Sequence, residues 1–183
     1  YDLRYFPDNA VTEYKLVQIV ASGPDSDWES IMQSYFAAIA TAAQYVYIST
    51  PYFLPNQSIL MALKTAALSG IDVKLLLPER NDSWIVWRSS RSYVKELLEA
   101  GVHVYFYLKG FTHSKLMVVD DIFASVGTAN MDIRSFNQDF EANALIYDEA
   151  IACELKQDYE DDIENSKEIF LESLNKFKVR FGF

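Results

Sequence analysis

The chain is poor in several residue types, and each scarcity excludes something. Among 183 residues there is one cysteine, Cys153, so neither an internal disulfide nor a thiolate metal cluster can form. Its place in an apolar-periodic stretch predicts a small core residue. Cations are few: 16 Lys and Arg stand against 26 Asp and Glu, giving a formal charge of −10. Nonspecific binding to a polyanion such as nucleic acid needs a basic patch, and a chain this acidic opposes it. No stretch approaches the ~20 apolar residues of a spanning helix. The start at Tyr1 lacks the basic, apolar, small-residue pattern of a signal peptide and lacks an initiator Met. The chain is therefore expected to be an excised fragment, with any membrane anchor outside it. Histidine is scarce as well, with only His103 and His113.

Hydrophobic residues make up half of the chain and aromatic residues 15%, ample for a packed core. Lys15–Ala21 predicts a buried strand. After the break at Gly23-Pro24-Asp25, Ser26 and Glu29 have capping-box spacing. Trp28, Ile31, Met32, Tyr35, Phe36, Ile39 and Ala43 recur at helical spacing over about five turns. A strand over Tyr45–Ser49 stops at Pro51, and a helix from Gln57 to Leu68 ends at Gly70. A strand at Val73–Leu77, a helix over Ser83–Glu99 and a strand at His103–Leu108 follow. This alternation with apolar strands predicts an α/β fold, a mixed, mostly parallel sheet with helices on both faces. After Gly110, Lys115–Asp120, Ile122–Val126 and Ala142–Tyr147 are strands on short connections, which favour antiparallel hairpins. Residues 150–183 are predicted helical and acidic. No internal repeat or linker is visible, so 1–183 is expected to be one domain.

The segment Thr112–Asn130, THSKLMVVDDIFASVGTAN, carries the chemistry. Residues two apart on a strand share a face, which pairs His113 with Lys115 and Thr128 with Asn130. An ammonium beside an imidazole suits a phosphate centre: the lysine neutralises a phosphoryl oxygen while the imidazole attacks phosphorus or moves a proton. Thr128 and Asn130 can donate to an oxyanion, and Gly127 permits close backbone approach. Asp120 lies at an odd offset from Lys115, so it is expected to bind backbone or a cation and not substrate. His103 has no motif around it and reads as structural. Trp84 and Trp87 are expected to serve helix packing, and Tyr105-Phe106-Tyr107 core and strand surface. Tyr52 and Phe53, just past a strand end, are candidates to line the site. The tail Lys176–Phe181 alternates basic and apolar residues, as an interfacial segment or an edge strand would.

HxKx4D followed by six residues and GTxN resembles the signature of the phospholipase D superfamily, with Thr128 where serine is commoner. Thr50-Pro51-Tyr52-Phe53, Gly70-Ile71-Asp72-Val73, Arg91-Ser92-Tyr93 and Arg134-Ser135-Phe136 extend the resemblance to the C-terminal half of bacterial cardiolipin synthases. Asp139 departs from the family's Asn-Phe-Glu, whereas Glu141 matches it. The resemblance implies that Glu141 holds the Nδ1 proton of His113. It further implies phosphatidyl transfer between two phosphatidylglycerols through a phosphohistidine, without metal or other cofactor. Such chemistry needs two imidazoles, so a second motif must come from an N-terminal half of the same protein or from a second copy of the chain. In the long-chain case His113 would be the general acid/base, and the isolated fragment would have little or no activity. The implied partners are an anionic phospholipid and, through parts outside the fragment, the cytoplasmic side of a bacterial membrane, with no nucleic acid. The alternatives are a homodimeric single-motif phosphodiesterase or nuclease, and a non-catalytic partner domain.

Overall fold

The structure, a computed structural model, describes residues 14–173. Strand β1 spans Val17–Ser22 and helix α1 Ser30–Thr41; β2 (Tyr45–Ser49), a short β3 (Phe53–Leu54) and α2 (Gln57–Leu68) follow. Next come β4 (Asp72–Pro78), α3 (Trp84–Glu99), β5 (His103–Tyr107), β6 (Leu116–Val119) and β7 (Phe123–Gly127). The chain continues through β8 (Met131–Asp132), α4 (Ile133–Asn137), β9 (Glu141–Ile146), α5 (Glu149–Glu164) and β10 (Ser166–Ile169). Helix α2 starts where Asn56 caps Ile59 N–H and stops before Gly70, whose φ of 89° suits glycine.

Eight strands form one mixed sheet in the order β1-β9-β7-β6-β2-β4-β5-β10. Parallel pairing links β2 to β4 and β4 to β5, joined by the crossovers through α2 and α3. Beyond this block the sheet grows by antiparallel pairs: β6 on β2, β7 on β6, β9 on β7, β1 on β9, and β10 on β5. Strand β1 thus lies at the far edge, where the alternation of the sequence alone suggests a parallel neighbour for β2. Helix α5 is followed by β10, whereas the sequence reads as helix throughout from residue 150. The tail Lys176–Phe181 lies outside the described residues. No helix among the described residues is long and apolar enough to cross a membrane.

Both sheet faces are covered. Val46 and Ile48 of β2 and Leu75 and Leu77 of β4 pack with Ile31, Tyr35, Ile39, Leu63, Val94 and Leu97 of α1, α2 and α3. Their sequence neighbours Tyr45, Tyr47 and Leu76 point the other way, onto Ala152 and Tyr159 of α5. The Tyr47 and Tyr159 rings stack at 5.2 Å. Each such side chain taken from water contributes on the order of 1.5–3 kcal/mol.

Three local expectations are corrected. Helix α1 begins at Ser30, two residues past Trp28, and Glu29 at its cap makes no side-chain cap bond. Ile31 N–H donates instead to Ser22 Oγ at 3.0 Å, so the end of β1 supplies the cap and Ser26 is left in the preceding turn. Trp28 is consequently 69% exposed. Cys153 is exposed, because α5 buries its neighbour Ala152 together with Tyr159, and the thiol falls outside that stripe. Trp84 is exposed as well, while Trp87 has the packing role: its Nε1–H donates to Glu79 O at 2.8 Å, and Arg91 lies 4.0 Å over its ring.

Candidate active site

The sheet order gathers the motif residues at one end. Strands β2, β4 and β5 run toward this end, β6 and β9 start from it, and β7 finishes there. Ser49 pairs with Leu116, Leu116 with Val126, and Gly127 with Asn143. The segments holding Thr50, Lys115, Thr128 and Glu141 therefore emerge side by side, in agreement with ligand sites lying beyond strand ends in open α/β sheets.

His113 and Lys115 occupy an extended segment just before β6. Lys115 Nζ lies 3.2 Å from His113 Nδ1, 3.3 Å from Nε2 and 3.1 Å from the His113 carbonyl oxygen. Burial lowers the Lys115 pKa, against the opposing charges of Glu141 and Asp132. Those two carboxylates are therefore near enough to the ammonium to be felt. The His113 and Tyr52 rings are nearly perpendicular, with centroids 6.3 Å apart, and Phe111 lies 5.6 Å from His113. Tyr52 OH donates to Asp82, and burial together with that carboxylate pushes the phenol up to about 12.

Glu141 has a different partner from the one the resemblance implies. Its Oε1 accepts from Ser135 Oγ at 3.0 Å, and among the described residues no hydrogen bond joins it to His113. Helix α4 brings Ser135 to the start of β9, where its hydroxyl reaches Glu141. Ser135, fully buried, is a hub that sequence reasoning missed. Its N–H donates to Asp132 Oδ1 at 2.7 Å, and its Oγ accepts from Asn130 N–H at 3.1 Å. Only the Arg134-Ser135-Phe136 similarity pointed to it. Asp132 is buried beside it, and burial raises its carboxyl above the ordinary value.

Thr128 lies against β9. Ala142 N–H donates to Thr128 Oγ1 at 3.0 Å, and the hydroxyl lies 3.4 Å from Ala142 O. Asn130 lines a cavity of about 540 Å³ with Tyr52, Leu54, Val86, Tyr93 and Asp132. Its Oδ1 is buried without a hydrogen-bond partner, a group that ordinarily requires one. Phe53, by contrast, does not line this site. Its ring is fully buried in the core, edge-on to Tyr93, because adjacent strand residues face opposite ways and Tyr52 takes the open side.

Asp120 acts on backbone. Its carboxylate accepts from Ala43 N–H at 2.6 Å and from Gln44 and Tyr45 N–H at 2.8 Å each, tying the β6–β7 turn to the start of β2. Asp120 has a φ of 54°, a left-handed conformation that Asp tolerates better than most residues. His103 also has a structural partner, Glu168 of β10, at 2.9 Å. The second missed hub is Asn143, fully buried, which donates to Tyr35 OH and Ser125 Oγ and accepts from Ala129 N–H. This bond fixes the strand end that carries Thr128 and Asn130.

Known proteins share this architecture and much of this sequence. Cardiolipin synthase 2 of Bacillus anthracis is 54% identical over 163 residues, which cover 89% of this chain and 32% of the relative. A cardiolipin synthase of Geobacillus kaustophilus is 51% identical over 168 residues, 91% of this chain and 34% of the relative. This chain thus spans about a third of the length of these curated relatives. Among solved structures, a phospholipase D family member, Nuc from Salmonella typhimurium, superposes with a TM-score of 0.74 at 20% identity, covering 86% of this chain and 99% of that one. Phosphatidylserine synthase of Haemophilus influenzae superposes at 0.66 and 16% identity, over 95% of this chain and 48% of that one. These two show the fold alone. The family described as cardiolipin synthase, PLD-like domain, matches residues 35–163, and this chain belongs to it.

Proposed function

We propose that this chain supplies one half of a phosphatidyl-transfer centre that joins two phosphatidylglycerols into cardiolipin and releases glycerol. The observation that carries the proposal is the pairing of Lys115 Nζ with the His113 ring at the sheet end where Asn130 and Glu141 also stand. The similarity to cardiolipin synthases supports the choice of lipid.

A histidine of a second motif attacks phosphorus. The N–P bond forms, the ester bond to the glycerol headgroup breaks, and His113 as imidazolium gives its proton to the departing alkoxide. Glycerol leaves, and His113 takes the proton of a hydroxyl on the second phosphatidylglycerol. That oxygen bonds to phosphorus as the N–P bond breaks. Lys115 neutralises a non-bridging phosphoryl oxygen, and Asn130 donates to another. Glu141 and Ser135 position this half through Asn130 and through the charge on Lys115. The second motif lies in an N-terminal half of the same protein, and the reaction takes place at a bacterial membrane.

The test is His113→Ala in the full-length protein on phosphatidylglycerol vesicles. Cardiolipin formation is expected to fall by about 10³-fold or more, with the circular dichroism spectrum unchanged. Undiminished transfer would reject the assignment, and release of phosphatidic acid in place of cardiolipin would replace transfer by hydrolysis. A single-motif homodimeric phosphodiesterase is a second reading, favoured by the coverage of 99% of the Nuc chain by one such unit. It requires the 183-residue chain to be dimeric and to turn over by itself.

A further inference from the structure

Two apolar surfaces flank the candidate site, and they differ in charge. On the β1 side stand Trp28 (69% exposed) and Phe140 (74%), with Asp25, Asp27 and Glu29 close in sequence to Trp28, while Asp139 is paired with Arg134. On the β5 side, Trp84 (67%) and Ile85 (69%) open helix α3, and Phe111 (42%) precedes His113 by two residues. Between Lys15 and Lys64 the sequence has no Lys or Arg at all. Six of its 16 cations fall within residues 80–115, against Asp82, Glu96 and Glu99 there; Arg91 is paired with Glu79 and Lys95 with Glu99, so Arg80, Arg88 and Lys109, apart from Lys115 in the site, carry the positive charge of this segment. A chain of strong net negative charge thus keeps a cationic segment beside one exposed apolar rim. Arg80 and Lys109 are exposed there, and Arg88 lies 5.8 Å from the Trp84 ring.

This rim is joined to the site. Tyr52, whose ring meets His113, hydrogen-bonds Asp82 in the loop leading into α3. Ser83 and Val86 share the cavity wall with Tyr52 and Asn130. An aromatic and an aliphatic side chain exposed at a helix start, with basic residues around them, are the features of a surface that rests in a headgroup layer.

We propose that the start of α3, through Trp84 and Ile85 with Phe111 and the surrounding cations, docks this chain on an anionic bilayer. A lipid headgroup then reaches His113 without its acyl chains leaving the membrane. The inference rests on the lipid reading above, and goes beyond it by placing a membrane contact within this chain. Charge complementarity selects the occupant: an anionic surface is repelled by the acidic rim and attracted by the basic one.

Cosedimentation of the purified 183-residue chain with phosphatidylglycerol-containing vesicles, and with pure phosphatidylcholine vesicles, tests it. Binding is expected only to the former and to weaken at high salt. Trp84→Ser/Ile85→Ser should reduce partitioning about tenfold or more, since burial of apolar groups in the interface drives binding. Trp28→Ser/Phe140→Ser should leave it unchanged. Because all four side chains are exposed, circular dichroism should confirm retained folding in both. Equal binding to both lipids, no loss in Trp84→Ser/Ile85→Ser, or loss confined to Trp28→Ser/Phe140→Ser would overturn the proposal. So would self-association through the Trp84 face without vesicle binding, which would make that face an interface between copies. His113→Ala should bind like the parent, so a failure of the catalytic assignment remains distinguishable from a failure of docking.

Discussion

Gly127 and Asn143 stand so close across β7 and β9 that a β-carbon on the glycine would lie 2.4 Å from Asn143 Oδ1 and 2.4 Å from the Ala142 carbonyl oxygen. Neither can yield easily: one is backbone, and the other is held by three hydrogen bonds. The glycine of the motif therefore serves the approach of two strands. Gly127→Ala is expected to destabilise the fold by about 2–3 kcal/mol through overpacking, read in urea denaturation. Unchanged stability would show that β9 can shift at no cost.

Asp120 accepts three consecutive backbone N–H groups, at the start of β2. Asp120→Ala leaves those donors unpaired, and a loss of about 3 kcal/mol is expected, with a smaller loss for Asp120→Asn. At temperatures where the variants remain folded, the full-length protein should retain its KM. A large KM change in a stably folded Asp120→Asn would place this carboxylate on the substrate.

Burial raises the Asp132 carboxyl above its ordinary value, against hydrogen bonds from Ser135 and Asn130 that lower it. A raised carboxyl holds its proton in the folded chain where the unfolded chain has released it. Its contribution to stability is therefore fullest below the unfolded value and is lost as pH rises through the folded one. Asp132→Asn keeps an acceptor for Ser135 N–H and removes the titration. The variant should gain stability relative to the parent as pH rises from below the ordinary carboxylate value toward neutrality. Paired urea melts across that range check this, and a pH-independent difference would contradict it.

In the proposed transfer Lys115 offers charge at the phosphoryl oxygens, a contribution that grows in the transition state. Lys115→Met in the full-length protein should lower kcat for cardiolipin formation by about 10²–10³-fold, with a smaller change in KM. A change confined to KM would mean that the ammonium only holds the ground-state lipid.

Sequence alone determined the elements whose signals are local. The β-rich run Tyr45–Ser49, the capped helix Gln57–Leu68 ending at Gly70, and the start of α3 at Ser83 are set by period, caps and turn residues that neighbours supply. The same holds for the candidate chemistry, because His113 and Lys115 are two residues apart and an extended chain brings them together. Tertiary structure decided whatever depends on a distant partner. It placed β1 beside β9, gave the cap of α1 to Ser22, and turned Phe53 into the core and Cys153 out of it. It tied Glu141 to Ser135 and made Asn143 the anchor of β7. The uneven spread of charge is also written in the sequence, but only folding joins the loop before α3 to Tyr52, through Asp82, and Tyr52 to His113. Local propensity acts over a few residues, whereas burial, hydrogen-bond pairing and surface charge follow from contacts that only the assembled sheet creates.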